Sequence, residues 1–213
     1  KSQLDRFAKI LASIPDQFDL TQIPLDNQDV LDELYHPSIK STWYMRKRKE
    51  VYLPEIQEKT FDNLVNMYAL MNQDDDTAIY TYIQCVNKCW KPVERHQLLT
   101  PFLQSTFGVW VYPEQTLEIL KNVCELSDTE AYQLYMYNHP ANEQVKLYEQ
   151  KARENAEKKG LSEEDIDEIF RERWSHKWKA WKKDSYLECL NIYQDTWLKV
   201  HYPDEYANTV NNL

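Results

Sequence analysis

The sequence predicts an all-α protein, an irregular bundle of about nine or ten helices with no significant sheet. The first observation behind this prediction is that only two of the 213 residues are glycine. Folds rich in β-structure use many tight turns, and those turns draw on glycine for positive φ angles. Secondly, apolar residues recur at spacings of three and four along most of the chain. Thirdly, nine prolines, together with Ser, Thr and Asp caps, separate these segments.

Local signals define the helices expected in the first half of the chain. Their positions are 3–13, 27–35, a long helix from Pro54, a helix from Asp74 that stops before Pro92, and 100–107. The carboxylates of Asp74–Asp76 suit the positive end of a helix dipole, which favours capping over a metal site. Trp90 is assigned to the apolar stripe of that helix, together with Ile79 and Ile83. Gly108 suits the left-handed position that follows a helix C-terminus.

The second half of the chain is expected to continue in the same way. Its helices are a helix from Pro113, 128–137, 141–159, a long helix from 163 to about 200, and a short helix from Pro203. Ser127 and Glu130 form a capping box at the start of the second of these helices, and Gly160 ends the third. A slip in the apolar phase predicts a kink in the long helix near Asp184–Ser185. Val109–Tyr112 has some strand character, but a lone short strand has nothing to pair with. Residues 1–213 are thus expected to form a single domain, with 159–162 as the candidate sub-boundary.

No residue pattern in the chain predicts catalysis, a cofactor or a metal ion. Two glycines cannot build a Gly-rich phosphate loop, and the five histidines include no H-E-x-x-H pair. Cys85 and Cys89 lack a second nearby Cys or His pair, which excludes the usual structural zinc site. The four cysteines are expected to be free thiols in a reducing compartment. Binding is therefore favoured over enzymatic function, with no cofactor.

The cytoplasm is the expected location of the protein. The sequence shows neither an apolar stretch of membrane-span length nor a signal peptide. The chain begins with Lys1 rather than Met, so a removed leader stays open as an alternative. No feature of the sequence specifies an oligomeric state.

An acidic surface and surplus tyrosines suggest binding to another protein. The net charge is −10, which repels the phosphates of nucleic acids and attracts a basic partner. Three tyrosines close together on one helix cannot all point inward, so at least one is expected to be exposed. The predicted partner-binding residues are Tyr132, Tyr135, Tyr137, Glu163, Glu164, Asp167 and Glu168. The favoured hypothesis is an inhibitor or an immunity or antitoxin-type protein that masks a basic site on its partner.

The alternative hypothesis uses a segment in which tryptophans and cations alternate. The residues of this segment are Arg171, Arg173, Trp174, Lys177, Trp178 and Trp181. Their spacing suits either an aromatic–basic surface for a nucleic acid or a membrane interface, or the two faces of an ordinary amphipathic core helix. The basic run Arg46–Lys49 joins this surface if the fold brings the two together. The alternative function is therefore a nucleic-acid-binding protein, or an enzyme, that uses residues 171–183.

Overall fold

The structure is a computed structural model that describes residues 3–14, 19–36, 52–73, 75–137, 142–174 and 179–211. Within these ranges it contains eleven α-helices, three short 3-10 helices and no strand, which confirms the all-α prediction. The α-helices are α1 (Gln3–Ser13), α2 (Gln28–Tyr35), α3 (Phe61–Met71), α4 (Asp76–Val86), α5 (Thr100–Leu103), α6 (Pro113–Asn122), α7 (Asp128–Met136), α8 (Glu143–Lys158), α9 (Glu163–Trp174), α10 (Lys182–His201) and α11 (Pro203–Asn211). None of these described helices is both long enough and apolar enough to cross a membrane.

The chain divides into two compact units. The terminal unit consists of Lys1–Val65 and Tyr186–Leu213, and the central unit consists of Asn66–Ser185. Residues 159–162, the candidate sub-boundary, lie within the central unit. The interpretation of residues 1–213 as a single domain stays a prediction.

In the terminal unit, α1 packs against α11, and a buried tyrosine of α10 fixes the start of α2. Tyr193 Oη accepts the backbone N–H of Asn27 at 3.0 Å and donates to the carbonyl of Pro24 at 2.9 Å. Its ring meets the ring of Phe61 edge-on, with the centroids 5.6 Å apart. Asn27 in turn caps α2, because its Oδ1 accepts the N–H of Val30.

One hydrophobic cluster of the central unit is built from helices α5 to α9 and the extended segment that precedes α6. Its buried members include Leu99, Leu103, Trp110, Ile119, Leu120, Leu134, Ala152, Ala156, Ile169 and Phe170. The extended segment 109–112 is buried, and the described part of the chain offers it no partner strand. Gln115 Oε1 instead accepts the N–H groups of Val111 and Tyr112 at 2.8 and 2.9 Å. Gln73 Nε2 donates to the carbonyl of Val111 at 2.8 Å, so side chains satisfy this backbone.

Several predicted caps are confirmed. The Ser127 hydroxyl accepts the N–H of Glu130, and the Glu130 carboxylate accepts the N–H of Ser127. Asp75 Oδ1 accepts two N–H groups in the first turn of α4, at 3.0 and 3.1 Å, whereas Asp74 lies outside the described residues. Gly108 and Gly160 both adopt positive φ, at 80° and 89°.

Two boundaries in the first half of the chain differ from the prediction. The segment around Pro54 is a 3-10 helix, Leu53–Glu55, and α3 begins only at Phe61, where the Thr60 hydroxyl accepts the N–H of Asn63. The predicted long helix from Pro54 is therefore wrong. The assignment of Trp90 to the apolar stripe of α4 is also wrong, because α4 ends at Val86 and Trp90 is 49% exposed.

The long helix predicted from residue 163 consists of two helices. α9 ends at Trp174 and α10 begins at Lys182, so the predicted kink at Asp184–Ser185 is wrong. Glu114, from the first turn of α6, accepts the backbone N–H of Lys182 at 2.9 Å and so caps the start of α10. The periodicity of the segment does not reveal this start, because the capping carboxylate comes from a different helix.

Candidate functional site

The predicted aromatic–basic surface is split between the interior and the exterior of the central unit. Arg171 is exposed on α9, whereas Arg173 on the same helix is only 2% exposed. The Arg173 guanidinium donates to the carbonyl of Leu134 at 3.0 Å and to Glu149 Oε2 at 3.1 Å. Burial lowers the pKa of Arg173, and the Glu149 carboxylate opposes that shift. Arg173 is therefore an interior cation and does not belong to an exposed basic face.

Lys179 and Trp181 also contribute to packing. The side chain of Lys179 is 2% exposed and forms an ion pair with Glu172. Its ammonium lies 5.8 Å from the centroid of the Trp110 ring. Burial lowers the pKa of Lys179, against the opposing effect of the Glu172 carboxylate. Trp181 is half-buried, and its ring meets the ring of Tyr135 edge-on at 6.3 Å.

The exposed cations of this region lie on both sides of a segment that the structure does not describe. Outside the described part of the chain lie Lys177, Trp178, the side chain of Trp174, and Arg46–Lys49. Arg171 is exposed on α9, and Lys182 and Lys183 are exposed in the first turn of α10. The ammonium of Lys182 lies 5.7 Å from the centroid of the Tyr112 ring. The hypothesis that Arg46–Lys49 forms one surface with these cations stays a prediction.

The four acids predicted to bind a partner differ in their surroundings. Glu163 and Glu164 are exposed in the first turn of α9. Asp167 Oδ1 accepts a hydrogen bond from an arginine of α8 at 2.8 Å. Glu168 is partly buried and pairs with Arg95 at 2.5 Å. Two of the four acids are thus already engaged in ion pairs within the central unit.

The three predicted tyrosines divide between core and surface. Tyr135 is 2% exposed, and burial raises its pKa, whereas Tyr132 and Tyr137 are 50% and 57% exposed. The expectation that not all three point inward is confirmed. The exposed pair lines a groove of about 560 Å³ between α6 and α7. Other residues that line this groove are Glu114, Leu117, Glu118, Lys121, Asp128 and Gln133. The structure therefore does not bring the α9 acids into the groove.

An exposed aromatic pair lies beside the turn that follows α4, formed by residues 87–91 and called the Trp90 turn below. Trp90 is 49% exposed and Tyr80 of α4 is 47% exposed. Their rings meet edge-on, with centroids 5.4 Å apart and an interplanar angle of 82°. Among the described residues, Trp90 is the tryptophan that leaves the largest aromatic surface in solvent. Sequence periodicity had placed this ring in the core.

The Trp90 turn carries two cations. Lys88 and Lys91 are both exposed, and within the described ranges neither forms an ion pair. Residues 87–93 contain no Asp or Glu. The sequence signal for the helix end is the polar pair of Asn87 and Lys88, which directly follows Val86 and is typical of a helix C-terminus.

Comparison with known proteins gives a consistent set of matches. Residues 2–160 match the family described as the bacterial DNA polymerase III alpha subunit finger domain. The chain is 24% identical over 199 residues to an error-prone DNA polymerase of Bdellovibrio bacteriovorus, covering 89% of this chain and 19% of that protein. It is 34% identical over 116 residues to DNA polymerase III subunit alpha of Neisseria meningitidis serogroup A, covering 52% and 10%. With the same subunit of Staphylococcus aureus strain Mu50 it shares 27% identity over 199 residues, covering 92% and 19%.

These matches contradict the hypothesis of an inhibitor or an immunity or antitoxin-type protein, which is wrong. We also expected a basic protein as the partner and expected nucleic acid to be an unfavourable partner. The same matches show that this expectation is wrong. Both inferences relied on the net charge, which sums the charges of the whole chain. A nucleic acid instead contacts a local part of the surface, whose charge can differ from the sum. The alternative hypothesis of a nucleic-acid-related function agrees better with the matches. Since the match extends over most of its length, this chain belongs to the family of the bacterial DNA polymerase III alpha subunit finger domain.

Proposed function

We propose that this chain is the finger region of a DNA-polymerising enzyme and that it contacts the nucleic-acid substrate. The observation that carries the proposal is the family match over residues 2–160, and relatives aligned over 199 residues support it. The chain spans about a fifth of the length of those relatives, with 19% covered in both. The proposal therefore concerns contact with DNA by this region. Bacterial DNA lies in the cytoplasm, and we place the chain there.

Three exposed cations support the proposal. Arg171 lies near the end of α9, and Lys182 and Lys183 lie in the first turn of α10. Exposed cations neutralise phosphates and release the counterions that DNA carries, which supplies most of the affinity of sequence-independent binding. Buried ion pairs fix the described ends of the two elements. Arg173, in the last turn of α9, pairs with Glu149, and Lys179, just before α10, pairs with Glu172. A backbone held in this way presents the exposed cations without a large ordering cost on binding.

Fluorescence anisotropy with a labelled primer–template DNA tests the proposal on the 213-residue chain. We expect saturable binding at low salt that weakens as the salt concentration rises, because each phosphate contact releases counterions. The double variant Lys182→Ala/Lys183→Ala should weaken binding by about tenfold. Lys158→Ala is the matched control, because Lys158 is an exposed lysine on α8. A chain that shows no binding even at low salt would overturn the proposal.

A further inference from the structure

We propose that the Trp90 turn, together with Tyr80, is a stacking site for the unpaired bases of single-stranded DNA. The inference rests on the proposed function, because it assumes that the chain contacts DNA. It goes further by naming a site away from the 171–183 segment and by specifying the form of the nucleic acid. The ligand chemistry is a flexible polyanion whose bases offer free aromatic faces.

The aromatic pair supplies the apolar half of such a site. Roughly half of each side chain, 47% of Tyr80 and 49% of Trp90, is open to solvent. The edge-on contact between the two rings fixes their relative orientation. Proteins that bind single strands without sequence preference use aromatic side chains of this kind, because every base has a π-face.

Backbone hydrogen bonds hold the turn in one conformation. The carbonyl of Gln84 accepts the N–H groups of both Cys89 and Trp90, at 2.9 and 3.1 Å. The carbonyl of Cys85 accepts the N–H of Lys88 at 3.0 Å, and the Cys85 thiol donates to the carbonyl of Lys91 at 3.4 Å. The ring of Trp90 is therefore presented by an ordered backbone, which reduces the conformational entropy lost on binding.

Lys88 occupies a backbone position that glycine would adopt with less strain. Its φ is 59°, in the left-handed region that side chains disfavour. The chain nevertheless carries a lysine there, and its exposed ammonium has no ion-pair partner among the described residues. Phe107 and Glu125 adopt the same left-handed backbone, and Lys88 has it at the position that terminates α4. Here the strained residue places a free cation two positions before the exposed tryptophan.

The charge around the turn favours a polyanion. Lys88 and Lys91 flank Trp90, and residues 87–93 contain no acid, in a protein whose net charge is −10. Most of the protein surface is acidic and repels phosphates, so a local cationic patch determines where a DNA strand binds. The closest acids in the sequence are Glu94 and Asp76. Asp76 lies one helical turn before Tyr80 on the same face of α4, at the end of the helix opposite to residues 87–91.

Stacking is tested with aromatic variants and a labelled oligothymidylate of about fifteen nucleotides. Trp90→Ala and Tyr80→Ala should each weaken binding by about tenfold, whereas Trp90→Phe should retain most of the affinity. Tyr132→Ala is the matched control, because Tyr132 is 50% exposed on α7 and lies outside the turn. A blunt duplex of equal length should bind more weakly than the single strand, because its bases are already stacked. Equal binding of all these variants would overturn the proposal.

The cation is tested with Lys88→Gly, which relieves the strained φ and therefore should not unfold the chain. The salt dependence of binding should become shallower by about 0.7 in the slope of log K against log salt, the value for one lost contact with a single strand. Lys158→Ala should leave the slope unchanged. A Lys88→Gly slope equal to that of the wild type would overturn a phosphate contact at this residue.

Alkylation of Cys89 distinguishes a wrong site from a wrong function. Cys89 is exposed, whereas Cys85, Cys124 and Cys189 are buried. Burial raises the pKa of these three thiols, for Cys124 to about 12, so a maleimide reacts first at Cys89. Bound oligothymidylate should slow this reaction severalfold. Primer–template binding with no protection of Cys89 would overturn this site and leave the proposed function standing, whereas no binding to either DNA would overturn both.

Discussion

At the scale of single residues, one carboxylate joins two arginines around one aromatic ring. Glu149 on α8 accepts hydrogen bonds from Arg173 at 3.1 Å and from Arg153 at 3.3 Å. The guanidinium carbons of Arg153 and Arg173 lie 4.3 and 5.6 Å from the centroid of the Phe170 ring. Because Arg173 also donates to the carbonyl of Leu134, the group connects α7, α8 and α9.

Arg173→Ala should therefore destabilise the chain strongly. The substitution leaves a buried carbonyl without its donor and removes one partner of a partly buried ion pair, at a cost of about 3 kcal/mol. Arg171→Ala, two residues away on the exposed face of α9, should change the free energy of unfolding by less than about 0.5 kcal/mol. Urea unfolding followed by circular dichroism measures both values. Equal stabilities of the two variants would contradict the interior role of Arg173.

At the scale of elements, the start of α7 combines a capping box with a contact to α8. The carboxylate of Glu130 accepts the N–H of Ser127 and two contacts from the ammonium of Lys151, at 2.8 and 2.9 Å. The Lys151 ammonium and the Ser127 N–H lower the pKa of Glu130 from 4.5 to about 2. The folded state thus holds this carboxyl ionised at a pH where an unfolded chain binds the proton.

Glu130→Gln should remove a pH-dependent part of the stability. A lowered pKa contributes stability that is present above the unfolded value of 4.5 and is lost as the pH falls towards about 2. Because Lys151 is half-exposed, we expect the wild type to exceed the variant by only about 1 kcal/mol at neutral pH. Urea unfolding of both proteins between neutral pH and about pH 2 should show that the difference between their free energies of unfolding decreases as the pH falls. A gap that stays constant with pH would contradict the ionic contribution of this carboxyl.

The elements also show which features a sequence can predict. The Ser127 capping box and the positive φ of Gly108 depend on neighbours within a few residues, and both were predicted. The start of α10 depends on Glu114, which is distant in the sequence, so the pattern around residue 182 does not predict it. Trp90 was wrongly assigned to the core because the helical spacing of apolar residues continues in the sequence beyond the last hydrogen-bonded turn of α4. Local signals therefore predicted the fold class. The exposure of Trp90, in contrast, depends on the residue at which α4 ends, which these signals did not predict.

At the scale of the whole molecule, the net charge of −10 hides how its cations are distributed. Arg173 and Lys179 are neutralised in the interior, whereas Lys88, Lys91 and Lys182 are exposed. No sequence rule separates these two groups, since burial depends on the packing of helices that are distant in the chain. The average charge therefore pointed to a basic protein partner, although the chain belongs to the family of the bacterial DNA polymerase III alpha subunit finger domain.

Removing exposed acids from the first turn of α9, about two helical turns before Arg171, should accelerate the association with DNA. Glu163→Gln/Glu164→Gln reduces the negative charge in the first turn of α9, where both side chains are exposed. At low salt we expect the association rate with oligothymidylate to rise by about twofold, because long-range repulsion decreases. In about 0.5 M salt the difference should vanish, because the screening length becomes shorter than the distance to the strand. Stopped-flow fluorescence at both salt concentrations measures this effect. An increase in the association rate that persists at high salt would mean that these acids contact the DNA directly. An unchanged association rate at low salt would mean that the negative charge of the protein does not repel the DNA.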